Sequence, residues 1–310
     1  MKCIILAGGF ATRLWPLSEN KAKPLLHLKD RPILSHIVDG LPQGLEIIIS
    51  TNVAFEQDFL AWAKHRPDRK IRVFVEDSVE NESKKGALGA VALAIRKEKI
   101  DEDLLLIAGD NYFGFRISDF INFYKGNPIL AAYDIGSLEA AKKFGVVVTN
   151  DEHVVEFQEK PREPKSTLVS TGCYVFPKRN LADIAEYAQG HKDNLGGIFE
   201  HLLNKGAIID VFTFSESWYD IGSFEGYLKA NRELIGDQVI EKGIVTKVGK
   251  IEFRGAVYLG ENSVIENSVI LKDCVIKNCV IRNCIVDERC ALSGIDLSRQ
   301  MIRQGSVIEK

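Results

Sequence analysis

Met1–Leu17 reads M-K-C-I-I-L-A-G-G-F-A-T-R-L-W-P-L, and Asn20–Leu26 follows as N-K-A-K-P-L-L. Lys2–Leu6 has the length and composition of a buried strand. It runs into Gly8 and Gly9, and glycines let backbone N–H groups approach a ligand closely. Arg13 then offers a planar donor fork and Lys23 a compact positive charge, both suited to phosphate oxygens. The plainer alternative is a surface turn with two solvated cations. Neither G-x-G-x-x-G nor G-x-x-x-x-G-K-[ST] is present to settle the matter.

Further strand-like runs lie at Glu46–Ser50, Ile71–Val75 and Leu104–Ala108, with helical spacing at Pro32–Leu41, Phe55–His65 and Ala87–Lys97. Such alternation predicts an α/β fold with a Rossmann-like, mostly parallel sheet flanked by helices. Ligands of these sheets bind at the carboxyl ends of strands. Gly8–Gly9 and Gly109–Asp110 are therefore expected to open on one crevice. Beyond residue 140, Gly145–Val148, Val154–Gln158 and Val169–Phe176 read as strands with little helix between them, which predicts an antiparallel subsection. Ser223–Ile235 reads as a helix stopped by Gly236.

From about residue 245 a short repeat takes over: N-S-V-I at Asn262 and Asn267, D-C-V-I at Asp273, N-C-V-I at Asn278, N-C-I-V at Asn283 and R-C-A-L at Arg289. A small residue recurs at 263, 268, 274, 279, 284 and 290. Small residues at tight corners, with Ile and Val filling the bore, predict a short left-handed parallel β-helix. It is expected over about 257–292, in roughly three turns of about fifteen to eighteen residues, with Leu297–Lys310 capping the last coil. The domains expected are 1–237 and 238–310. Four of the six cysteines fall in the repeat slot shared with Ser263 and Ser268. They read as one column of small buried thiols rather than a metal cluster or disulfide ladder. A serine placed at Cys279 is expected to bury a hydroxyl in need of a partner.

The 310 residues include 40 Lys+Arg and 43 Asp+Glu, a net charge of −3. That balance argues against nucleic acid or an anionic membrane as main partner. The run Cys3–Ala7 is too short to span a bilayer. A cytoplasmic protein is expected.

The stretch L-A-G-G-F-A-T-R-L-W-P-L from Leu6, with Lys23-Pro24-Leu25, resembles the signature of the sugar-1-phosphate nucleotidylyltransferases. Gly109-Asp110, F-G-V-V from Phe144, Glu159-Lys160-Pro161, S-T-G-C-Y from Ser170 and W-Y-D-I-G from Trp218 follow in the family's order. The resemblance covers about residues 1–235, and a β-helix tail is common in the family. It implies transfer of a nucleoside monophosphate from a nucleoside triphosphate to a sugar 1-phosphate. Arg13 would neutralise the departing pyrophosphate and Lys23 the attacked phosphate. Asp110 and Asp220 would hold Mg²⁺. Leu6, Ala7, Gly8, Gly9 and Gly86 would face the nucleotide. Lys160 would hold the sugar phosphate, Glu159 would accept from sugar hydroxyls, and Gly145, Thr171 and Gly172 would line the sugar pocket.

The acidic stretch Val75–Gly89 departs from the family where the base is read. Ionised carboxylates only accept hydrogen bonds, and guanine offers them two adjacent donors. The resemblance points first to a glucose-1-phosphate thymidylyltransferase using dTTP or UTP, with a mannose-1-phosphate guanylyltransferase as alternative. A non-catalytic regulatory subunit would have lost the basic and metal residues that this chain keeps. An acyl-transferring β-helix would call for a base such as His, and the six His lie at 27, 36, 65, 153, 191 and 201. The open end of a short solenoid must be covered, so a homo-oligomer is expected.

Overall fold

The computed structural model describes residues 1–9, 12–19, 21–29, 31–76, 86–235, 245–248, 252–253, 257–260 and 263–310. Most of the acidic stretch, the Gly236 stop and the expected 237/238 boundary lie outside the described residues. The chain forms two compact units, Met1–Gly9 with Leu34–Trp218 and Phe10–Ile33 with Tyr219–Lys310.

The first unit is built on a nine-stranded sheet. Its strands are β1 (Lys2–Leu6), β2 (Glu46–Asn52), β3 (Lys70–Glu76), β4 (Leu104–Ala108), β5 (Ile129–Asp134), β6 (Gly145–Asn150), β7 (His153–Glu159), β8 (Leu168–Phe176) and β9 (Asp210–Phe214). Their order is β3-β2-β1-β4-β8-β5-β9-β7-β6. The first four strands run parallel, each buried strand a near-continuous apolar run as two covered faces demand. Ile4 faces Ile48 on one side and Leu106 on the other, and all three are core residues. β8 meets β4 and β5 antiparallel, and β7 meets β6 and β9 antiparallel, which is the expected change of texture.

Helices in this unit include α1 (Ile33–Asp39, whose first residue belongs to the second unit), α2 (Glu56–Lys64) and α3 (Gly86–Lys97). α3 buries Leu88, Val91 and Ala94 at three-residue intervals, the apolar stripe of a packed helix. Two of its first amides, of Leu88 and Gly89, donate to the Lys192 carbonyl at 2.9 and 3.1 Å. Two later helices of this unit are α4 (Leu181–Tyr187) and α5 (Gly197–Asn204). Among the described residues no helix is long and apolar enough to cross a membrane.

The second unit holds α6 (Phe224–Ile235) and a parallel β-helix of three four-stranded faces. Val264 pairs with Val280, Val269 with Ile285 and Val275 with Ala291, so these coils repeat every sixteen residues. The solenoid is longer than the repeat suggested. Leu297–Lys310 is no cap: Leu297 pairs with Ile281, Met301 with Ile285 and Val307 with Ala291, making a further coil. Its corners carry Ile295, Gln300 and Ser306 instead of the N-S or D-C signature, so the sequence signal fades while the backbone repeat continues.

The corners explain the pattern. Asn267, Asp273, Asn278, Asn283 and Arg289 have φ between 47 and 60°, each just before a slot residue. Asn and Asp tolerate this left-handed conformation because a short polar side chain can bond locally. The next residue is then turned inward and buried. The four cysteines of the repeat do not form one column. Register places Ser263 below Cys279, Ser268 below Cys284 and Cys274 below Cys290, one column at each of three corners. All six cysteines are free and buried. Cys279 and Cys284 thiols donate to the Lys277 and Arg282 carbonyls at 3.0 and 3.2 Å, as the Ser268 hydroxyl donates to Glu266 O at 2.7 Å. The Cys274 thiol donates to Asp287 O at 3.0 Å, and its hydrogen bond with Cys290 and its burial hold its pKa well above the usual thiol range.

The carbonyl beside Cys279 corrects the expectation of an unpartnered hydroxyl there. Cys279→Ser should change stability by less than about 1 kcal/mol, since the hydroxyl inherits that bond. Asn283→Gly should be similarly mild, whereas Asn283→Val should cost about 1–2 kcal/mol by forcing a β-branched residue left-handed. Denaturant titration of the three variants checks both statements.

Candidate active site

Parallel pairing brings the ends of β1 and β4 together: Gly109 N–H donates to the Leu6 carbonyl at 2.9 Å. The two glycine turns therefore leave the same edge of the sheet, as expected. Ala7 N–H donates to Ser50 O at 2.7 Å and Asn52 Nδ2 to Gly8 O at 2.8 Å, so Leu6–Gly8 is pinned along β2. A Cβ on Gly8 would sit 2.7 Å from Glu76 Oε1, while one on Gly9 would meet open space. Glu76 is a buried carboxylate at the end of β3, and Ser50 Oγ donates to it at 3.0 Å. Among the described residues of the acidic stretch Val75–Gly89, Glu76 is the one carboxylate. Asn52 Oδ1 and Thr51 Oγ1 are buried without a partner in this corner, among the described residues. Gly86 has φ +66°, and a side chain there would collide with Lys192 and Asp193.

Asp110 lies two residues past the end of β4, after Gly109. Asn111 Nδ2 donates to Asp110 Oδ1 at 3.0 Å, and the Asn111 amide is itself oriented by Trp218 Nε1, which donates to its Oδ1 at 3.0 Å. Asn111 and Trp218 are both buried. The sequence reading passed over Asn111, although its place beside Gly109-Asp110 was the available signal.

At the end of β7 the structure joins three of the expected sugar-site residues. Glu159 Oε1 lies 3.5 Å from Lys160 Nζ, and a Cβ on Gly145 would sit 3.3 Å from Glu159 Oε2. Gly196 flanks the same carboxylate so closely that a side chain there would overlap it. Only glycines on both sides leave Glu159 its room, and Gly196 was not legible without the fold. Lys160 adopts φ +45°, with its side chain largely exposed. Thr171 is 2% exposed and its hydroxyl donates to Ala131 O at 2.9 Å, so the side chain serves the sheet and the backbone is what it offers. Gly172, at φ +81°, belongs to the bulge of β8 between Ser170 and Tyr174, with the Ala108 Cβ 2.8 Å from where its own Cβ would be. Burial above all, and then the Glu159 charge, hold the Tyr174 phenol protonated.

The second unit carries the other three residues. Arg13 is exposed in a single 3₁₀ turn, Thr12–Leu14. Lys23 is 9% exposed and opens a second such turn, Lys23–Leu25. Asp220 ends a short strand, Trp218–Asp220, and is exposed; a Cβ on Gly222 would sit 3.1 Å from both of its carboxylate oxygens.

One further cluster, Asp183, Glu186 and His201, joins α4 to α5 with donor atoms within 4.8 Å. Lys205 Nζ already binds Asp183 and Glu186 at 2.8 and 2.7 Å. The Asp183 carboxyl stays below its usual range because those bonds outweigh its partial burial. This is an ion-pair network clamping two helices.

Residues 2–236 match the nucleotidyl transferase family. A UTP–glucose-1-phosphate uridylyltransferase of Haloferax volcanii is 30% identical over 240 residues, 76% of this chain and 96% of its own. A Sulfolobus acidocaldarius protein assigned as a mannose-1-phosphate guanyltransferase is 26% identical over 270 residues, 86% and 72% of the two chains. A solved Bacillus anthracis structure, assigned as a glucose-1-phosphate thymidylyltransferase in complex with a sucrose, superposes with TM-score 0.64 at 25% identity, covering 78% of this chain and 98% of that one. Longer relatives, glucose-1-phosphate adenylyltransferases among them, are matched over about three fifths of their own length. The strand-end glycines, the oriented Asp110 and the family match agree, and the chain belongs to the nucleotidyl transferase family of sugar-1-phosphate nucleotidylyltransferases.

Proposed function

We propose that this chain transfers a nucleoside monophosphate from dTTP or UTP to glucose 1-phosphate and releases pyrophosphate. The observation that carries the reading is the seat of Glu159: a carboxylate held between two glycines, with an ammonium 3.5 Å away. A carboxylate accepts from sugar hydroxyls and the ammonium binds the adjoining phosphate. A sugar-phosphate oxygen attacks the α-phosphorus, the bond to the β-phosphate oxygen breaks, and pyrophosphate departs. Such a transfer depends on positioning and charge neutralisation. Lys160 holds the nucleophile's phosphate. Lys23 neutralises the attacked phosphate and Arg13 the leaving pyrophosphate. Asp110 and Asp220 are hard oxygen donors that fit Mg²⁺, and the Asn111 amide fixes the aim of the first. When bound, the ion would supply further charge neutralisation on the triphosphate.

A second reading, guanylyl transfer to mannose 1-phosphate, is favoured by Glu76. A buried carboxylate beside the Gly8 backbone matches the two adjacent donors of guanine better than the single one of uracil or thymine. A matrix of nucleoside triphosphates against sugar 1-phosphates, followed by pyrophosphate release, decides between them. Glu76→Gln should depress GTP use selectively if the carboxylate reads guanine, and all nucleotides alike if it only supports the Gly8 turn. We also propose a homo-oligomer formed through the last coil, where Val307 is 71% exposed; light scattering tests it.

Asp110→Asn and Asp220→Asn should each lower turnover by roughly a hundredfold or more, the scale of losing one aligned electrostatic contact. Near-normal turnover at saturating Mg²⁺ would remove that residue from the metal site. Lys160→Ala should chiefly raise KM for the sugar 1-phosphate, and Arg13→Ala should impair triphosphate use and kcat. Direct titration of each substrate must accompany the kinetics, because KM only approximates binding. Equal effects on both substrates would refute this division of roles.

A further inference from the structure

The segment that carries Arg13 and Lys23 lies in the same compact unit as the β-helix. Its contacts there are specific. The Arg303 guanidinium stands 4.8 Å from the centre of the Trp15 ring, and its Nε lies 3.2 Å from Glu19 Oε2. Lys21 Nζ lies 3.7 Å from Glu288 Oε1. Arg303 and Glu288 sit at one corner of the last two coils, tied by Gly305 N–H to Glu288 O at 2.9 Å and Gln304 Nε2 to Glu288 Oε2 at 3.4 Å. The far end of the segment is held as well. Tyr227 of α6 donates its hydroxyl to His27 O at 2.6 Å, and Lys29 N–H donates to Asn231 Oδ1 at 3.3 Å. Both cationic turns thus lie on a strap fixed at one end by the terminal coils and at the other by α6.

Trp15 is 54% exposed, so burial alone does not hold it. Its N–H closes the Arg13 turn onto Thr12 O at 3.3 Å, so what fixes the Trp15 ring bears directly on that turn. One cation–π contact and one partly exposed ion pair are each individually weak. That is too little to decide whether the chain folds. It is enough to bias the conformation of a single-turn element, in which one or two hydrogen bonds are all that resist distortion.

We propose that Arg303, seconded by Glu288, is a positioning residue for Arg13, and that the terminal coils thereby set the activity of the nucleotide-binding strap. The proposal rests on the reading that Arg13 serves the triphosphate. It gives the β-helix a part in turnover that the absence of His from the coils would not suggest.

The experiment is steady-state kinetics and thermal melting of the full chain as Arg303→Leu, Arg303→Lys, Glu288→Gln, Arg13→Ala and the Arg13→Ala/Arg303→Leu double variant. Arg282→Ala serves as control, since it removes an ion pair with Glu266 at 2.9 Å on another part of the solenoid. Arg303→Leu should lower kcat by roughly three- to tenfold, the loss expected from one such contact. KM for the sugar 1-phosphate and the melting temperature should stay near wild type, Arg303→Lys should recover part of the loss, and Arg282→Ala should leave kcat unchanged. In the double variant Arg303→Leu should add nothing to Arg13→Ala, because the effect passes through that arginine. Additive losses, or a kcat that falls only in step with the melting temperature, would overturn the proposal. If Arg303→Leu does not fold, Glu288→Gln carries the same expectation with a smaller loss. Should Arg13→Ala itself turn over normally, the reading of the site fails instead, and the two failures are distinguished.

Discussion

The parallel pairing of β1 on both of its edges is the constraint from which the first unit follows. A strand held in register with Glu46–Ser50 on one side and Leu104–Ala108 on the other needs two crossover connections. Those crossovers return the chain so that residues after 6, 50 and 108 all emerge at one edge. Gly8, Asn52 and Asp110 are neighbours for this reason, though about a hundred positions separate the first from the last. The apolar strands supply the burial that holds this edge still, and the polar residues just past their ends are then free to do chemistry.

Much of this was legible in the sequence because it is written in periodicity. Lys2–Leu6 and Leu104–Ala108 are strands with the bounds the apolar runs gave, and Ala87–Lys97 is extended by one residue at its start. Gly, Asp and Lys at the family's positions named the candidate site. Contacts between distant segments were not legible. Nothing in N-K-A-K-P-L-L reveals that it shares a compact unit with residues beyond 219. The Trp218–Asn111–Asp110 relay and the paired glycines around Glu159 arise only when strands and loops are brought together. Thr171 shows the converse, since a residue in the right motif can turn its hydroxyl toward a sheet carbonyl.

The β-helix is legible in its inward residues, and its last coil is hidden for the same reason. Ser and Cys at the slot are conspicuous, but the conformational demand falls on the residue before, which must be left-handed. Gly294, Arg299 and Gly305 meet that demand in the last coil without any small inward partner of the Ser or Cys type at 295 and 300. A search for the outward corner residue follows the solenoid to its end, whereas a search for the inward one stops a coil early. The split of the cysteines over three corners comes from the same geometry, because successive slots are a third of a coil apart.

The sixteen-residue coil has an evolutionary reading. Within the solenoid each coil pairs its strands only with those of the coil before and the coil after it, so duplication or loss of a whole coil leaves every remaining strand register intact. A gain or loss of five residues, one corner to the next, would instead rotate all following faces by one side of the prism. Length change in this region is thus quantised in whole coils, and a change that reached the last coil would also alter what holds Trp15 and Glu19.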